Sequence, residues 1–417
     1  MSSVLVLADD FTGAMDTGHG FATRGSSARV VVADPDAPRS LEARPDVLAV
    51  DLDSRDLDPA AAASAVSAWL ERDPVPEVVY KKIDSTLRGN VAAEVDAALA
   101  AAERELAIVA PAFPGTSRVT VGGRHLVDGR PLEDAGYGTD SDLRTLFDAS
   151  EYDVAGLSLE TVLKGADAVA SALADRGRDG REIVVCDAIH DRHLEAIADG
   201  ARRCERDVLY VGSGGLASAV SVPNSSRSPP EATREGTDAL GIVGSVNDRT
   251  LEQLEVVPDD WLVELDPAAA VADPVVAGRE AATALAEARR TRDRVVLTGA
   301  TSRDDVDRAR MAATDRGVDP GPRVARALGV AAAEATTDAP PAGLLLTGGA
   351  IARATLEGIS ANTIELTGEA VVDGVPEGVI GDGPAAGTTI VTKAGGFGGR
   401  RSIVNCLNFL ASSHESE

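Results

Sequence analysis

Lysine is nearly absent from this 417-residue chain: four stand in the whole sequence, at positions 81, 82, 164 and 393. Acidic residues number 67 against 40 basic ones, giving a formal charge of −27. Such a surface repels phosphate backbones and acidic headgroups, which disfavours general nucleic-acid binding and adhesion to anionic membranes. Aromatics supply only 3% of the residues although apolar types make up 44%, so the interior must be built from Ala, Val, Leu and Ile. Cys186, Cys204 and Cys406 form neither a disulfide framework nor a paired metal spacing, which fits a reducing cytoplasm. No apolar run approaches the roughly 18 residues of a membrane helix. The first apolar run ends at once in Asp9 and Asp10, so no signal peptide is expected. Neither G-x-x-x-x-G-K-[ST] nor G-x-G-x-x-G occurs, so the P-loop and dinucleotide fingerprints do not apply and a dehydrogenase is disfavoured.

The acid is spread along the chain rather than gathered in a tail, the pattern of a solvated surface rather than of a dock for a cationic partner. Arg, Asp and Ala standing where Lys would be common is a halophile's habit. In molar salt the Debye length falls to about 3 Å and self-repulsion is screened. The composition therefore predicts a salt-adapted protein. The length leaves room for two or three domains, each with its own core.

Short continuous apolar runs recur at 4–8, 28–32, 47–50, 78–80, 106–109, 183–185 and 208–211, and again at 240–244, 261–265, 294–298, 343–347 and 388–392. Ala-rich stretches of helical character, such as 60–70 and 90–106, lie between them. This alternation predicts α/β architecture with mainly parallel sheets. Residues 221–236 break the pattern with Pro, Ser and charge. The expected division is a first domain over 1–221, a linker over 222–236 and a second domain over 237–417. Parallel sheets bind ligands beyond the carboxyl ends of their strands, so the residues just after each run are the candidates.

ADDFTGAMDTG (8–18) places Asp9, Asp10 and Asp16 at one mouth of the sheet. A helix cap explains one aspartate; three need cations, hydroxyls or backbone donors to offset their repulsion. KKIDSTLRGN (81–90) sets Lys81, Lys82 and Arg88 around Asp84, Ser85 and Thr86, a point charge and a planar fork suited to a carboxylate or phosphoryl group. PAFPGTSRVTVGGRHLVDGRPLEDA (111–135) carries Arg118, Gly122, Gly123, Arg124 and His125; a surface hairpin explains it almost as well, and a lone His is more often structural. The second half carries glycine loops: GSVNDRT (244–250), TGGAIAR (347–353) and TKAGGFGG (392–399), the last with Lys393. Each follows a strand and opens a helix, a geometry that presents backbone N–H groups to phosphate.

Taken together and in this order, these segments resemble the four-carbon acid sugar kinase family, whose members phosphorylate threonate, erythronate or 3-oxo-tetronate with ATP. VGSGGLA (211–217) and LTGGAIARATLEGI (346–359) belong to the same resemblance, which covers nearly the whole chain. It implies an N-terminal sugar-acid domain, a C-terminal nucleotide domain and an active site in the cleft between them. ATP contacts would fall on Ser245, on Gly348, Gly349, Ala350 and Ile351, and on Gly395. The sugar acid would be met by Asp9, Asp10, Lys82, Asp84, Ser85 and Arg88. Where the family's glycine pair is often followed by an acidic residue and Thr, Ala350 and Ile351 stand here, so hydrogen bonds from those two positions come from backbone. The implied chemistry is γ-phosphoryl transfer to a hydroxyl, mostly positioning and charge stabilisation. Asp10, or else Asp9, is expected as the base, with Arg88 and Lys82 on the carboxylate or the developing charge. Mg²⁺ would bridge the phosphates, with no dedicated ligand identifiable. Two alternatives are a kinase of another small polyol or hydroxy acid, and a non-catalytic nucleotide or sugar-acid binding protein. The sequence leaves the stereoisomer and the oligomeric state open, a homo-oligomer included.

Overall fold

The computed structural model describes residues 2–32, 44–71, 74–176, 180–223, 225, 230, 238–337, 339–372 and 374–412. The chain divides into two compact units, Met1–Ser228 and Pro229–Glu417. Most of the expected linker lies outside the described residues.

Among the described residues the first unit is built on eight parallel strands. In chain order these are β1 (Val4–Ala8), β2 (Ala28–Val32), β3 (Val47–Asp51), β4 (Val78–Lys82) and β5 (Leu106–Ala110), followed after a small separate sheet by β9 (Asp153–Leu157), β10 (Glu182–Cys186) and β11 (Val208–Gly212). Their order across the sheet is β2-β3-β1-β4-β11-β5-β10-β9. The separate sheet is an antiparallel meander of β6 (Arg118–Val121), β7 (Arg124–Val127) and β8 (Arg130–Pro131). Within segment 111–135, residues 118–131 thus form the hairpin that competed with a ligand-binding reading. Strands β1, β5 and β11 are buried along their whole length, which is why they read as unbroken apolar runs, while β4 is equally buried but ends in Lys81 and Lys82. Leu7, Val79, Val95, Leu99, Val109 and Leu209 lie in the core between this sheet and the helices Pro59–Leu70 and Val91–Ala101.

The second unit carries β12 (Ala239–Val243), β13 (Leu262–Glu264), β14 (Arg294–Thr298), β15 (Gly343–Thr347), β16 (Thr363–Val372), β17 (Val375–Ile380) and β18 (Thr389–Lys393). The order β13-β14-β12-β15-β18 is parallel, and β17 and β16 follow antiparallel. The long β16–β17 pair was not anticipated: its outer residues are half-buried and mixed in character, so they give no apolar run. No helix among the described residues is long and apolar enough to cross a membrane.

Candidate functional site

Strand β4 runs on through Lys82 instead of ending at residue 80, and this decides what the paired lysines do. Successive strand side chains point to opposite faces, so Lys81 and Lys82 leave the sheet in opposite directions. Lys81 is fully buried. Its Nζ donates to the carbonyls of Lys82 at 2.9 Å and Leu7 at 3.3 Å, and pairs with Glu94 Oε2 at 3.2 Å. Glu94 also accepts from Ser54 Oγ, and Asn90 Nδ2 donates to the carbonyls of Ser54 at 3.1 Å and Leu57 at 2.8 Å. Lys81 is therefore a strut that fixes the loop after β3, out of a ligand's reach. Replacing Glu94 by Ala leaves a buried ammonium unpaired. The expected loss is about 3 kcal/mol, read as a lower urea midpoint, with Glu94→Gln losing less because its amide still accepts.

The loop held by this strut carries Arg55, a residue the sequence motifs did not single out. Its guanidinium reaches Asp9 Oδ2 at 2.7 Å, Asp10 Oδ2 at 2.8 Å and Asp84 Oδ1 at 3.8 Å. Asp84 is gripped from the other side by Arg88, Nε at 2.7 Å and Nη2 at 3.1 Å, and accepts from Thr86 Oγ1. Asp10 caps the helix Phe11–Ala22, accepting from Gly13 N and Thr12 Oγ1, both at 2.8 Å. Lys82, on the other face from Lys81, lies against the same helix end: a Cβ on Gly13 would stand 2.9 Å from its Nζ and 2.7 Å from Asp10 Oδ1. Lys82 Nζ donates to the Ile83 carbonyl at 2.8 Å. Three acids and three cations thus meet where β1, β3 and β4 end, which answers the repulsion implicit in Asp9-Asp10.

The electrostatics separate these acids. Burial opposes ionisation of Asp10, but Arg55, Lys82 and the bonds from Thr12 and Gly13 outweigh it and hold the carboxyl below its usual range. Asp84 is held far lower still: burial works against it, while the bond from Arg88 and the charges of Arg55 and Arg88 prevail. Asp16 goes the other way. Burial, reinforced by the charge of Asp10 and only partly opposed by Lys82, pushes it up to about 7. Asp16 is half-buried on the same helix, with no ion pair among the described residues. The expectation that Asp10 is the base meets a physical objection, because its oxygens are committed to a cap and an arginine and its proton affinity is lowered. Asp16 has the proton affinity a base at neutral pH needs.

Ser85 is half-buried beside this cluster, and its carbonyl lies 3.0 Å from His125 Nε2. His125 is buried, with Nδ1 3.0 Å from Thr120 Oγ1. Nε2 must donate to that carbonyl, and in the neutral ring Nδ1 then accepts from the Thr120 hydroxyl. Burial brings its pKa down to about 4, so His125 is a brace between the hairpin and the 84–88 loop. Arg88, by contrast, keeps 53% of its side chain exposed, and its Nη1, which Asp84 does not occupy, can meet a ligand.

In the second unit the three glycine loops close on one another at the adjacent ends of β12, β15 and β18. Gly348, at φ 94°, lies so close that a Cβ would be 3.4 Å from Ser245 Cβ. A Cβ on Gly395 would collide with Ser245 Oγ and stand 3.2 Å from Asn247 Cβ. Thr250 Oγ1 ties the cluster, donating to the Gly395 carbonyl at 2.8 Å and lying 3.2 Å from Ser245 Oγ. Gln253 Nε2 donates to the carbonyls of Phe397, Gly398 and Gly399 at 3.1, 3.3 and 2.9 Å. The helix Gly349–Gly358 begins at Gly348 without a side-chain cap, leaving its first N–H groups to a ligand. Ala350 is exposed there, while Ile351 is buried with Cδ1 against Gly244, so its side chain shapes the loop and only its backbone can face an anion. Lys393 is likewise buried, its Nζ donating to the carbonyls of Ala394, Gly395 and Phe397 at 3.1 to 3.3 Å. It organises the third loop from within, and burial lowers its pKa to about 8.

Among the described residues no group of three or more His, Cys, Asp or Glu is placed to hold a metal ion. Asp9 Oδ1 is buried without a hydrogen-bond partner and fits one cation contact. That suits an ion such as Mg²⁺, which takes one or two carboxylates and arrives with phosphates.

Arg55, Glu94 and Gln253 are the residues that motif reading passed over. Arg55 could have been found by the strand-end rule, since it lies four residues after β3, but in LDSRDLD it reads as an ordinary charged loop.

Comparison with known proteins places this geometry. Residues 4–220 match the family described as a sugar-binding N-terminal domain, and residues 240–403 match a nucleotide-binding C-terminal domain. The D-threonate kinase of Cupriavidus necator is 37% identical, over 99% of both chains. That of Salmonella typhimurium is 31% identical over 98% of both. The 3-oxo-tetronate kinase of Methylobacterium radiotolerans is 30% identical over 97% of this chain and 98% of its own. A Salmonella typhimurium LT2 crystal structure shares the fold with a TM-score of 0.78 at 22% identity, covering 96% of this chain and 98% of that one. Haemophilus influenzae protein HI1011 does so with a TM-score of 0.72 at 21% identity, over 98% of both. With both halves matched and full-length relatives above 30% identity, this chain belongs to the four-carbon acid sugar kinase family.

Proposed function

We propose that this enzyme transfers the γ-phosphoryl group of ATP to a hydroxyl of a four-carbon sugar acid of the threonate, erythronate or 3-oxo-tetronate type. The first unit, residues 1–221, takes the sugar acid and the second, 237–417, takes the nucleotide, with 222–236 linking them. The observation that carries this reading is the ring of Asp9, Asp10, Asp84, Arg55, Arg88 and Lys82 with one carboxyl, Asp16, left un-neutralised beside it. In this reading Asp16 accepts the hydroxyl proton as the phosphoryl group is attacked. Arg88 meets the substrate carboxylate through Nη1, the part of its guanidinium that Asp84 does not occupy. Lys82 supplies fixed positive charge for the developing oxyanion, and Asp10 and Arg55 hold the frame. Ser245, the backbone of residues 348–351 and Gly395 cradle the phosphates. Mg²⁺, arriving with those phosphates, would neutralise charge on the transferring group.

We propose further that the enzyme works in a reducing, salt-rich cytoplasm. Cys186, Cys204 and Cys406 are free and buried. Lys81, Lys82 and Lys393 are buried as well, so the outer cations are almost all arginine.

The deciding measurement is ATP consumption over D- and L-threonate, D- and L-erythronate and 3-oxo-tetronates, in molar KCl and in dilute buffer. One of these acids should be turned over with a KM well below that of polyols lacking a carboxylate, and activity should fall in dilute buffer. Gly395→Ala should raise the KM for ATP tenfold or more, because its Cβ collides with Ser245 Oγ. Turnover of uncharged polyols alone would move the assignment to another kinase class, and tight ATP binding with no turnover of any acid would leave a binding protein.

A further inference from the structure

A cavity of about 200 Å³ opens at the carboxyl ends of β13 and β14, among Glu264, Leu265, Asp266, Thr298, Ala300 and Arg308. We propose that it receives the ribose of the nucleotide, with the Glu264 carboxylate accepting from the 2′ and 3′ hydroxyls. The proposal rests on the nucleotide reading of the second unit and gives it a residue that reads the sugar.

Register fixes the position. Val243 of β12 lies opposite Thr298 of β14, and Thr298 lies opposite Glu264 of β13. Adjacent strands are about 4.8 Å apart, so Glu264 stands about 10 Å across the sheet from the end of β12, where the Ser245 loop begins. That is the reach from a triphosphate to the far edge of its ribose. The two loops are joined: Arg303, which opens the helix after β14, donates to the Val246 carbonyl at 3.1 Å and pairs with Asp248. Leu328 Cδ1 lies beneath both, 2.7 Å from a Cβ built on Gly244 and 3.9 Å from one on Gly299. Cavity and phosphate cradle are therefore consecutive sections of one strand-end crevice, where parallel sheets bind nucleotides.

The lining chemistry selects a neutral polyol. Asp266 Oδ1 caps the helix Pro267–Ala272 through Ala268 N at 2.9 Å and meets Arg308 at 3.2 Å. Asp305 is committed to Thr301 and Ser302 as a capping box. Glu264 makes no hydrogen bond or ion pair with a described residue, so it is the acceptor left for a ligand. A carboxylate matches a vicinal diol with its two oxygens, and three acids here turn away any phosphate, placing the triphosphate on the glycine loops instead.

The test is isothermal titration of the full-length protein with ATP, 2′-deoxy-ATP, 3′-deoxy-ATP and inorganic tripolyphosphate, for the wild type and for Glu264→Gln. Wild type should favour ATP over each deoxy analogue by about tenfold, the size of one charge-assisted hydrogen bond. Glu264→Gln should weaken ATP about tenfold, erase most of that preference and leave tripolyphosphate affinity unchanged. Glu264 is exposed, so the variant should fold. ATP binding with an unchanged preference in Glu264→Gln overturns the ribose assignment alone. Failure of the wild type to bind ATP overturns the nucleotide reading and the cavity with it.

Discussion

Asp16→Asn is expected to fold better than the wild type and to turn over at least a hundredfold more slowly. The rate follows from removing a proton acceptor, which general-base catalysis makes worth 10²- to 10⁴-fold. The stability gain follows from the sign of the shift. The folded state holds the Asp16 proton up to about 7, whereas an ordinary aspartate loses it near 3.8. Protonation is thus favoured in the folded state, and stability declines as pH rises from about 4 to about 7, staying low beyond. The amide abolishes that decline. With Asp16 half-buried, the gain at pH 8 is about 2 kcal/mol, read as a raised thermal midpoint, and it should vanish near pH 4. The kcat/KM of the wild type should climb through pH 7 as Asp16 ionises and fall above about 8 as Lys393 loses the proton that lets it organise its loop. A variant that keeps wild-type turnover would return the base to another carboxylate. One that is inactive but less stable at pH 8 would mean that Asp16 is a structural acid.

Arg55→Ala should be the most damaging single change in the first unit. It removes the common partner of Asp9, Asp10 and Asp84 and leaves the buried Asp9 carboxylate without its ion pair. Removing one member of a buried ionic network costs about 3 to 5 kcal/mol, enough to lower the urea midpoint sharply and to abolish turnover. Arg55→Lys should rescue little, because one ammonium cannot reproduce the separate contacts that Nε, Nη1 and Nη2 make. In the lysine variant Asp10 should titrate higher than in the wild type, visible by carboxyl NMR. Near-normal activity in Arg55→Lys would show that the acids need only a nearby charge and no fork.

The sequence was most legible where burial was complete. Fully buried parallel strands such as β1, β5 and β12 are apolar on both faces, so their runs stand out, and the turns after them carried the motif residues. It was least legible where a residue's role depends on a partner from another strand. Nothing in ADD or in LDSRDLD says that Arg55 will sit between Asp9, Asp10 and Asp84; that follows from β1 lying between β3 and β4 in the sheet. Nor does the pair Lys81-Lys82 say which cation faces the site.

The four lysines summarise the division. Composition alone made them conspicuous, and their scarcity in so acidic a chain pointed to Lys81, Lys82 and Lys393 as meaningful. Tertiary structure decided the meaning. Strand alternation sent Lys81 into an ion pair with Glu94 and Lys82 to the end of the helix carrying Asp16, while Lys393 turned back onto its own loop. The chain's own order sets which groups follow which strand. Only the packing of strands against one another sets which charges are left without a partner, and that remainder is where the chemistry can act.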